Sequence, residues 1–523
     1  MTLVRDAARR TVVIVGGGCS GAVVAHRLAS APGADDVVVV VVEPRPEIGP
    51  GLAYSTQEAA HRINVPASKM SLFSDDLEDF TRWLATADLP GADALDANGD
   101  AYPRRAVFGR YLAERMAPLV RSGAIRHERQ RAETISRQRD GGFDVRLEDG
   151  GTLGADIVVI ATTHPPPAVP QALAPLVGQP GFIPDVYVAG ALDAVRPTDR
   201  VLIVGNGLTA ADVVAALDGR GHVGGITSLS RQGLRSRGHA GMAQEPIGDF
   251  TTAPETSALA LLRRIRRTVR AAEAVGASWH FVLDAVRNQG PEIWQALPVS
   301  QRRKVVRRLR SVWDVHRFRI APQVEAVLER RSREGRYRSL AASLEGARPT
   351  SDGLEVAMRP RGSGAIHTAL FDVVVNTTGP AHRSVVERAP LRSLFEAGLV
   401  GLDEVGLGLA VALDGRTLDK AGDPVAGLYV AGPLARGTVG ELMGLYEVAN
   451  HAVAVADAVR EAAGEVSVSP AEVRTKVAAA PPDAHGEPEG GSRRLIDLVT
   501  PLANAKPRRL PASVVVPGTA PDA

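Results

Sequence analysis

The sequence has very little cysteine and few aromatic residues. Its 523 residues include a single cysteine, Cys19, and aromatic side chains make up only 4%. One cysteine excludes a disulfide framework within the chain and a redox-active cysteine pair, so any electron transfer must use a bound cofactor. The same usage fits a reducing compartment, and we expect a cytoplasmic protein. Because no histidines and cysteines have the spacing of metal ligands, we expect no metal.

Charge and hydropathy argue against further classes of protein. The chain has 61 basic and 59 acidic residues, a formal net charge of +2, so no overall field favours nucleic acid. No apolar run reaches the roughly 18 residues of a membrane span, and the N-terminus lacks the apolar core of a signal peptide. The phosphate-binding pattern Gly-x-x-x-x-Gly-Lys-Ser/Thr of ATP-hydrolysing enzymes is missing as well. Length and a hydrophobic content of 45% predict two or three domains with a substantial core.

Glycine-rich turns are present instead, at two places in the chain. The first follows the aliphatic run 11–15, reads Gly-Gly-Gly-Cys-Ser-Gly and opens a predicted helix. In such a turn Gly16 permits the tight bend, Gly18 lets a pyrophosphate approach the backbone, and Gly21 lets the helix pack close to the strand. This pattern predicts a dinucleotide site.

The surroundings of this first turn strengthen the prediction. Ser20 lies at the helix N-terminus, whose free N–H groups attract phosphate. The next predicted strand, 37–42, is a run of six valines, as expected for a strand buried on both faces of a parallel sheet. It ends in Glu43, whose carboxylate can accept hydrogen bonds from both ribose hydroxyls. The alternative is a glycine loop in another kind of α/β protein.

A second turn follows the aliphatic run 201–204 and has the same design. Gly205, Asn206, Gly207 and Thr209 form it, and Ala210 stands where the last glycine would be. A chain with two such turns is expected to bind two dinucleotides and to pass hydride between them.

The strand after the second turn ends without an acidic residue. It ends at Ser230 and is followed by Arg231, with Arg235 and Arg237 close behind. A hydroxyl and an arginine would bind a 2′-phosphate that a carboxylate would repel, so NADPH is favoured over NADH. The alternative is that these arginines form a solvated face.

The order of elements predicts an α/β fold with two Rossmann-like dinucleotide-binding domains, the second inserted in the first. The predicted first domain comprises residues 10–190 and 365–463, and the second comprises 196–364 with a helical insertion at about 254–335. Residues 464–523, rich in Ala, Pro and Gly, are expected to be an extended or disordered tail.

This layout resembles that of the two-dinucleotide-binding flavoproteins, in which FAD occupies the amino-terminal domain and NAD(P)H the inserted one. More specifically, the chain resembles bacterial FAD/NAD(P)-binding proteins of largely unassigned activity. The segments that carry this resemblance are 49–54, 61–67, 70–71, 79–84, 102–105, 108–109, 111–112 and 432–438.

A wider resemblance is to the flavin-dependent N-hydroxylating monooxygenases. Two of their patterns have looser counterparts here, formed by Met70, Ser71, Phe73, Asp76 and Leu77 and by Pro103, Arg105, Phe108 and Tyr111. The chain also departs from these families. Residues 161–164 read Ala-Thr-Thr-His where a glycine is usual, residues 377–380 read Thr-Thr-Gly-Pro, and Val-Gly-Glu at 439–441 replaces a usual Trp-Glu. These departures leave the substrate open.

The resemblance implies roles for residues near the flavin. Asn64 and Arg105 are candidate catalytic residues in a pocket that also contains Ser71. Pro66 and Met70 are expected to contact the cofactor. Because the residue before a proline avoids the helical conformation, Asn64-Val65-Pro66 is expected to be a rigid extended segment that can hold the Asn64 side chain near the flavin. For Asn64 a structural turn is an equally good interpretation.

The carboxyl-terminal motif supplies the remaining candidates. Arg436 could lie beside the flavin pyrimidine, where a cation stabilises the anionic reduced ring; a salt bridge at a helix start is the alternative. Gly432 and Thr438 would bring the backbone and the N-terminus of a final helix, 440–463, to the same edge.

These observations favour an FAD-dependent, NADPH-using oxidoreductase. The preferred form is a single-component monooxygenase that uses molecular oxygen on a small metabolite, with N-hydroxylation of an amine or amino acid as one option. The alternatives are an NAD(P)H-dependent flavin reductase or oxidase without oxygenation, and a flavin-binding redox sensor that binds a partner protein. We expect no nucleic-acid partner and no integral membrane association. The basic run 301–310 is interpreted as a solvated face, and the oligomeric state is left open.

Overall fold

The computed structural model describes residues 2–3, 9–30, 36–87, 99–242 and 244–465. The predicted tail, 464–523, lies outside the described residues from 466 onward. None of the helices within these ranges is long and apolar enough to cross a membrane.

The first parallel sheet is built from strongly aliphatic strands. Within the described residues it has six strands, and in spatial order they are Arg416–Leu418, Pro424–Val430, Ile157–Ile160, Arg10–Val15, Val37–Val42 and Ile125–Glu128. The edge strand Arg416–Leu418 runs antiparallel to its neighbour, and the other pairs are parallel. Because its central strands are buried on both faces, the sheet needs cover on each side.

Different elements cover the two faces of this sheet. On one face the helices Cys19–Ser30 and Leu445–Glu465 share a core with Val12, Ile14 and Val39. On the other face lies a four-stranded mixed sheet, whose strands in spatial order are Thr2–Leu3, Thr152–Ala155, Phe143–Leu147 and Ala132–Arg137. Thr2–Leu3 joins it in parallel, and the other pairs are antiparallel. The helix Cys19–Ser30 is therefore held between the sheet and the final helix.

The second sheet has a parallel core with an antiparallel extension. In spatial order its strands in the described residues are His367–Phe371, Gly353–Pro360, Tyr337–Thr350, Ile226–Ser230, Val201–Val204, Val373–Asn376 and Phe182–Ile183. The two dinucleotide-binding domains predicted from the glycine turns are thus present, each with its turn after a central parallel strand.

The strand pairing differs from the expected division of the chain. The sequence predicts a return to the first domain at residue 365, whereas Val373–Asn376 pairs with Val201–Val204 and residues 367–376 belong to the second sheet. The first sheet resumes only with Arg416–Leu418 and Pro424–Val430. A buried aliphatic strand has the same sequence pattern in either sheet, and only its partners distinguish the two.

Most of the chain between the strands Ile226–Ser230 and Tyr337–Thr350 is helical. The helices are Ala258–Ala274, Trp279–Asn288, Gly290–Ala296, Val299–Lys304, a π-helical turn Val305–Leu309, Arg310–Arg317 and Pro322–Arg333. They occupy the predicted insertion at 254–335. Within the basic run, Arg303, Lys304, Arg307 and Arg308 are exposed, as the interpretation of a solvated face requires.

The remaining helices lie around the two sheets. They are Cys19–Ser30, Gly51–Tyr54, Asp79–Thr86, Arg105–Arg121, Leu208–Gly219, Leu391–Glu396, Arg436–Val439 and Leu445–Glu465, with short 3₁₀ turns at Ala67–Lys69, Gln171–Leu176, His382–Glu387 and Pro433–Ala435. The final helix begins at Leu445 rather than at 440. The short helix before it ends at Gly440, whose φ of +98° is left-handed and stops the helix.

Substitution of Gly21 tests the close contact at the first turn. A Cβ built on Gly21 would lie 1.9 Å from the Gly16 carbonyl oxygen. Gly21→Ala should therefore lower the free energy of unfolding by about 1–3 kcal/mol, the usual cost of overpacking, as measured by urea denaturation. Gly219→Ala is the matched control, because a Cβ at this exposed helical glycine meets nothing within 4 Å. Equal unfolding midpoints for the two variants would contradict the account.

Candidate functional site

The first glycine turn forms a narrow backbone cradle. Gly16 leaves the strand with a φ of +105°, a left-handed conformation that favours glycine. Gly18 faces Gly51 so closely that a Cβ on Gly51 would lie 2.7 Å from the Gly18 Cα. The predicted turn residues therefore leave backbone, rather than side chains, on the surface where a pyrophosphate would lie.

Glu43 is held against this turn. Its side chain is buried, and its Oε2 accepts a hydrogen bond from the Gly17 N–H at 2.9 Å. Its Oε1 accepts from the Arg45 Nη1 at 2.9 Å and from the Arg45 N–H at 3.1 Å. The predicted ribose acceptor is thus fixed in position, and Arg45 balances its charge.

The turn and Glu43 line a cavity of about 690 Å³, which we call the first cavity. Such a volume is ordinary for a cofactor site, for which roughly 300–1,000 Å³ is typical. The rest of its wall comes from residues after the strand Ile157–Ile160, from a loop near residue 389, and from residues at and just before the start of the final helix. They are Ala161, Thr162, Thr163, His164, Arg388, Ala389, Pro390, Met443 and Leu445. Ser20 also borders this cavity.

Cys19 is a packed thiol rather than a reactive one. It lies in the first turn, and burial raises its pKa to about 12. Since the thiolate is the nucleophile, a helix N-terminus alone does not activate this residue.

The second turn is braced by hydrogen bonds to the second sheet. Gly205 has a φ of +120°. The buried Asn206 accepts a hydrogen bond from the Ser228 hydroxyl at 2.9 Å and donates one to the Ser339 Oγ at 2.6 Å. At the open side of the turn a Cβ on Gly207 would meet nothing within 4 Å, and the Thr209 hydroxyl lies 3.1 Å from the Tyr187 hydroxyl. Asn206 therefore shapes the turn, while Gly207 and Thr209 border open space.

The strand next to the second turn ends at Ser230 and is followed by Arg231. Ser230 is half-buried and Arg231 is exposed. The described residues offer Arg231 no carboxylate within ion-pair distance. The guanidinium is therefore available for an anionic ligand.

A second cavity, of about 730 Å³, is bordered by Leu208 and Thr209 at the second turn. It contains the predicted residues Asn64, Pro66, Met70, Arg105 and Thr209. Its wall shares four residues with the first cavity: Ala53, Tyr54, Met443 and Leu445. The two cavities therefore adjoin at these four residues.

Asn64 borders the second cavity from a bend that it forms with Val65. Its backbone carbonyl accepts a hydrogen bond from the His239 Nε2 at 2.9 Å, and no described residue hydrogen-bonds its side-chain amide. Burial lowers the pKa of His239 to about 4, so this ring is neutral near pH 7 and donates from Nε2. The contact fixes the backbone and leaves the Asn64 amide free.

Arg105 connects the two domains. Its Nη2 contacts the Asp212 carboxylate at 2.8 Å, and its Nε donates to the Arg62 carbonyl at 2.8 Å. Both members of the ion pair are largely buried, with 12% and 8% of their side chains exposed. Burial disfavours the charge on Arg105, but the Asp212 carboxylate together with the Tyr187 and Tyr54 hydroxyls outweighs this effect, and the pKa of Arg105 is raised. Asp212 lies on the helix that follows the second turn, so the pair holds that helix beside the second cavity.

The carboxyl-terminal candidates Gly432 and Thr438 contact different parts of the structure. Gly432 has a φ of +95°, its N–H donates to the His451 Nδ1 at 3.2 Å, and a Cβ there would lie 2.2 Å from the Ser20 Oγ. The Thr438 hydroxyl donates to the Val411 carbonyl at 3.1 Å.

Arg436 is buried within a charged cluster. It lies 3.7 Å from Asp314 and over the Phe318 ring, and burial lowers its pKa. Neither Arg436 nor Thr438 lines the two cavities, so their predicted contact with a flavin remains a prediction.

The sequence did not indicate several residues of this region. Arg45, Asp212 and His239 have no motif of their own, because their roles arise from contacts across 2 to 175 positions of the chain. The helical insertion also contacts the last helices, where the Trp294 Nε1 donates to the Gly437 carbonyl at 2.9 Å and Arg287 pairs with Glu447.

The amino-terminal part of the chain matches a known family. Residues 13–165 match the family model described as FAD-NAD(P)-binding. The comparison with curated proteins finds no match. The match covers the first turn, Glu43 and the segment that ends near His164, so the predicted resemblance to FAD/NAD(P)-binding proteins is confirmed.

Solved structures share the fold over most of the chain. The reduced form of ornithine hydroxylase (PvdA) from Pseudomonas aeruginosa is 17% identical, with a TM-score of 0.56, over 87% of this chain and 99% of that one. L-lysine 6-monooxygenase from Pseudomonas syringae is 19% identical, with a TM-score of 0.55, over 86% and 99%. The cadaverine monooxygenase DfoA from Erwinia amylovora, bound to FAD, is 13% identical, with a TM-score of 0.54, over 87% and 94%. These likenesses show the fold, which is the predicted one with two dinucleotide-binding domains.

The buried pair between Arg105 and Asp212 can be tested by removing one charge. Asp212→Asn leaves the guanidinium buried without its carboxylate, and we expect a loss of about 3–5 kcal/mol in the free energy of unfolding, measured by urea denaturation.

Glu58→Gln is the control, because Glu58 pairs at 2.8 Å with the more exposed Arg220 at the end of the same helix. A loss of about 1 kcal/mol or less is expected there. Similar losses for both variants would show that the Arg105–Asp212 pair is no more important than a surface pair.

Proposed function

We propose that this protein is an FAD-dependent, NADPH-using oxidoreductase that acts as a single-component monooxygenase on a small amine or amino acid. One observation carries the proposal: the cavity at the first glycine turn and the cavity beside the second share a wall of four residues. Dinucleotides bound at the two turns would bring their reactive ends together there, which hydride transfer requires.

The first cavity fits FAD. Its backbone cradle at Gly16 and Gly18 suits a pyrophosphate, and the anchored Glu43 suits the adenosine ribose. Ser20 would present the helix N-terminus, and Pro66 and Met70 in the second cavity would border the ring end. When bound, FAD would supply the redox chemistry, taking hydride from NADPH and delivering electrons to oxygen.

The second turn suits NADPH. Gly205 and Gly207 expose backbone, Thr209 borders the second cavity, and Ser230 and Arg231 lie at the end of the next strand. An exposed arginine without a carboxylate partner is a suitable ligand for a 2′-phosphate.

Residues of the second cavity would shape the reaction chamber. The free amide of Asn64 can hydrogen-bond a substrate or cofactor group, and its backbone is fixed by His239. Arg105 would hold the Thr209-bearing helix through Asp212. In this proposal Arg436 is a positioning residue, because it anchors Asp314 of the helical insertion to the segment after Gly432.

The substrate class rests on the solved structures with the same fold. The names of these enzymes specify ornithine, L-lysine and cadaverine, all of which carry a primary amine. The second cavity contains carboxylates that could face an amine, including Glu245 and Asp284, although Asp284 already pairs with Arg319 at 2.8 Å.

Substrate-dependent turnover tests the proposed function. The purified protein should contain FAD, and NADPH oxidation should accelerate with a suitable amine while less peroxide is released per NADPH consumed. The measurement combines NADPH absorbance, peroxide detection and mass spectrometry of the amine over a panel of diamines and basic amino acids. NADPH oxidation with full release of peroxide and no amine product would instead indicate an oxidase, and FAD without turnover would indicate a sensor.

Preference for NADPH tests the role of Arg231. Arg231→Ala should raise the KM for NADPH by about tenfold or more, since a charge-assisted hydrogen bond is lost, and should leave the KM for NADH nearly unchanged. Arg263→Ala, at an exposed arginine of the helical insertion, should change neither value. An equal rise with both nucleotides would reject the assignment of the 2′-phosphate site.

A further inference from the structure

His164 is a half-buried residue that borders the first cavity. It follows the strand Ile157–Ile160 by four residues. Neither ring nitrogen has a hydrogen-bond partner among the described residues, and both are inaccessible to solvent. Buried polar atoms nearly always have a hydrogen-bond partner in folded proteins. We therefore expect a bound ligand to supply the hydrogen-bond partner of this imidazole.

The ring of His164 is held from behind by a second histidine. Its ring and that of His382 are perpendicular, with centroids 4.8 Å apart. The Arg310 Nη2 donates to the His382 Nε2 at 3.0 Å, and the Arg310 Nε lies 3.3 Å from the Asp314 carboxylate. Since a guanidinium only donates, His382 must accept with an unprotonated Nε2. These contacts orient the His382 ring and, through it, the ring of His164.

The local charges keep both rings neutral. Burial, aided by His382, Arg436 and Arg310, lowers the pKa of His164 to about 3. Burial and Arg310 likewise lower the pKa of His382 to about 4. A neutral His164 offers one N–H donor and one acceptor nitrogen, which suits a ligand with both hydroxyl and phosphate oxygens.

The first cavity places this histidine near the path of a dinucleotide. The Ala161 carbonyl, three residues before it, is so close to the first turn that a Cβ on Gly16 would lie 2.7 Å away. The glycine turn suits the pyrophosphate and Glu43 suits the adenosine ribose, so the remaining wall faces the chain that continues toward the flavin ring.

We propose that His164 hydrogen-bonds the diphosphate–ribityl chain of the bound FAD, with His382 and Arg310 as its positioning residues. The inference rests on the proposed function, because it takes FAD as the occupant of the first cavity. It assigns His164 to cofactor retention.

Dissociation constants of FAD test this inference without any measurement of turnover. FAD release from the full-length holoprotein is followed by equilibrium dialysis, and AMP binding to the apoprotein by calorimetry. His164→Ala should weaken FAD binding about tenfold or more, the effect of one lost hydrogen bond to a charged or polar chain. AMP, which occupies only the adenosine end, should bind as tightly as before. His164→Asn, which keeps a donor and an acceptor, should recover part of the FAD affinity.

A control variant and the wild-type protein distinguish failure of the role of His164 from failure of the proposed function. His367→Ala, at an exposed histidine of the second sheet, should leave FAD binding unchanged. Unchanged FAD affinity in His164→Ala, or equal weakening of FAD and AMP, would overturn the role of His164 while the proposed function stands. Folded wild-type protein that binds no FAD would overturn both.

Discussion

Close packing of the helix Cys19–Ser30 is the constraint on which the two cavities depend. The helix approaches the first sheet at Gly21, where no side chain fits, and on its outer side it packs against Leu445–Glu465. This packing places the N-terminus of one helix at the floor of the first cavity and brings Leu445 and Met443 to the wall that both cavities share. Loss of the packing between the helices Cys19–Ser30 and Leu445–Glu465 would separate the first glycine turn from the wall that the two cavities share.

Buried ion pairs hold the second domain and the helical insertion against the first domain and the final helix. Arg105 and Asp212 join the domains beside the second cavity, while Arg287 and Arg317 contact Glu447 at the start of the final helix. Such pairs contribute little net stability when compared with apolar packing, yet they are costly to break, so they specify one arrangement. The same region contains Arg310 and His382 behind His164, which links the insertion to the first cavity.

Local sequence patterns were sufficient to predict the two sheets with parallel cores, but not the sheet to which every strand belongs. The valine run 37–42 and the turns after Val15 and Val204 predicted two parallel sheets with dinucleotide turns, because burial on both faces and the need for glycine leave short-range signals. Val373–Asn376 could not be assigned to its sheet in this way, since pairing with Val201–Val204 is a contact over about 170 residues.

The candidate site residues also differ in whether the sequence could predict them, because some belong to a local motif and others depend on contacts distant in sequence. Gly16, Gly18 and Glu43 belong to one compact motif and line the first cavity as a group. Arg436 carries no local signal that distinguishes a flavin contact from its observed pairing with Asp314. Asp212 and His164 gain their significance only from neighbours that are distant in sequence.

The central claim is that two dinucleotides meet across the wall formed by Ala53, Tyr54, Met443 and Leu445. Anaerobic mixing of the FAD-loaded protein with NADPH in a stopped-flow spectrophotometer tests it most directly. The account predicts rapid bleaching of the flavin absorbance with one equivalent of NADPH, slowed when bulky Tyr54→Trp or Met443→Trp substitutions narrow the passage. A flavin that stays oxidised in the presence of saturating, demonstrably bound NADPH would contradict it.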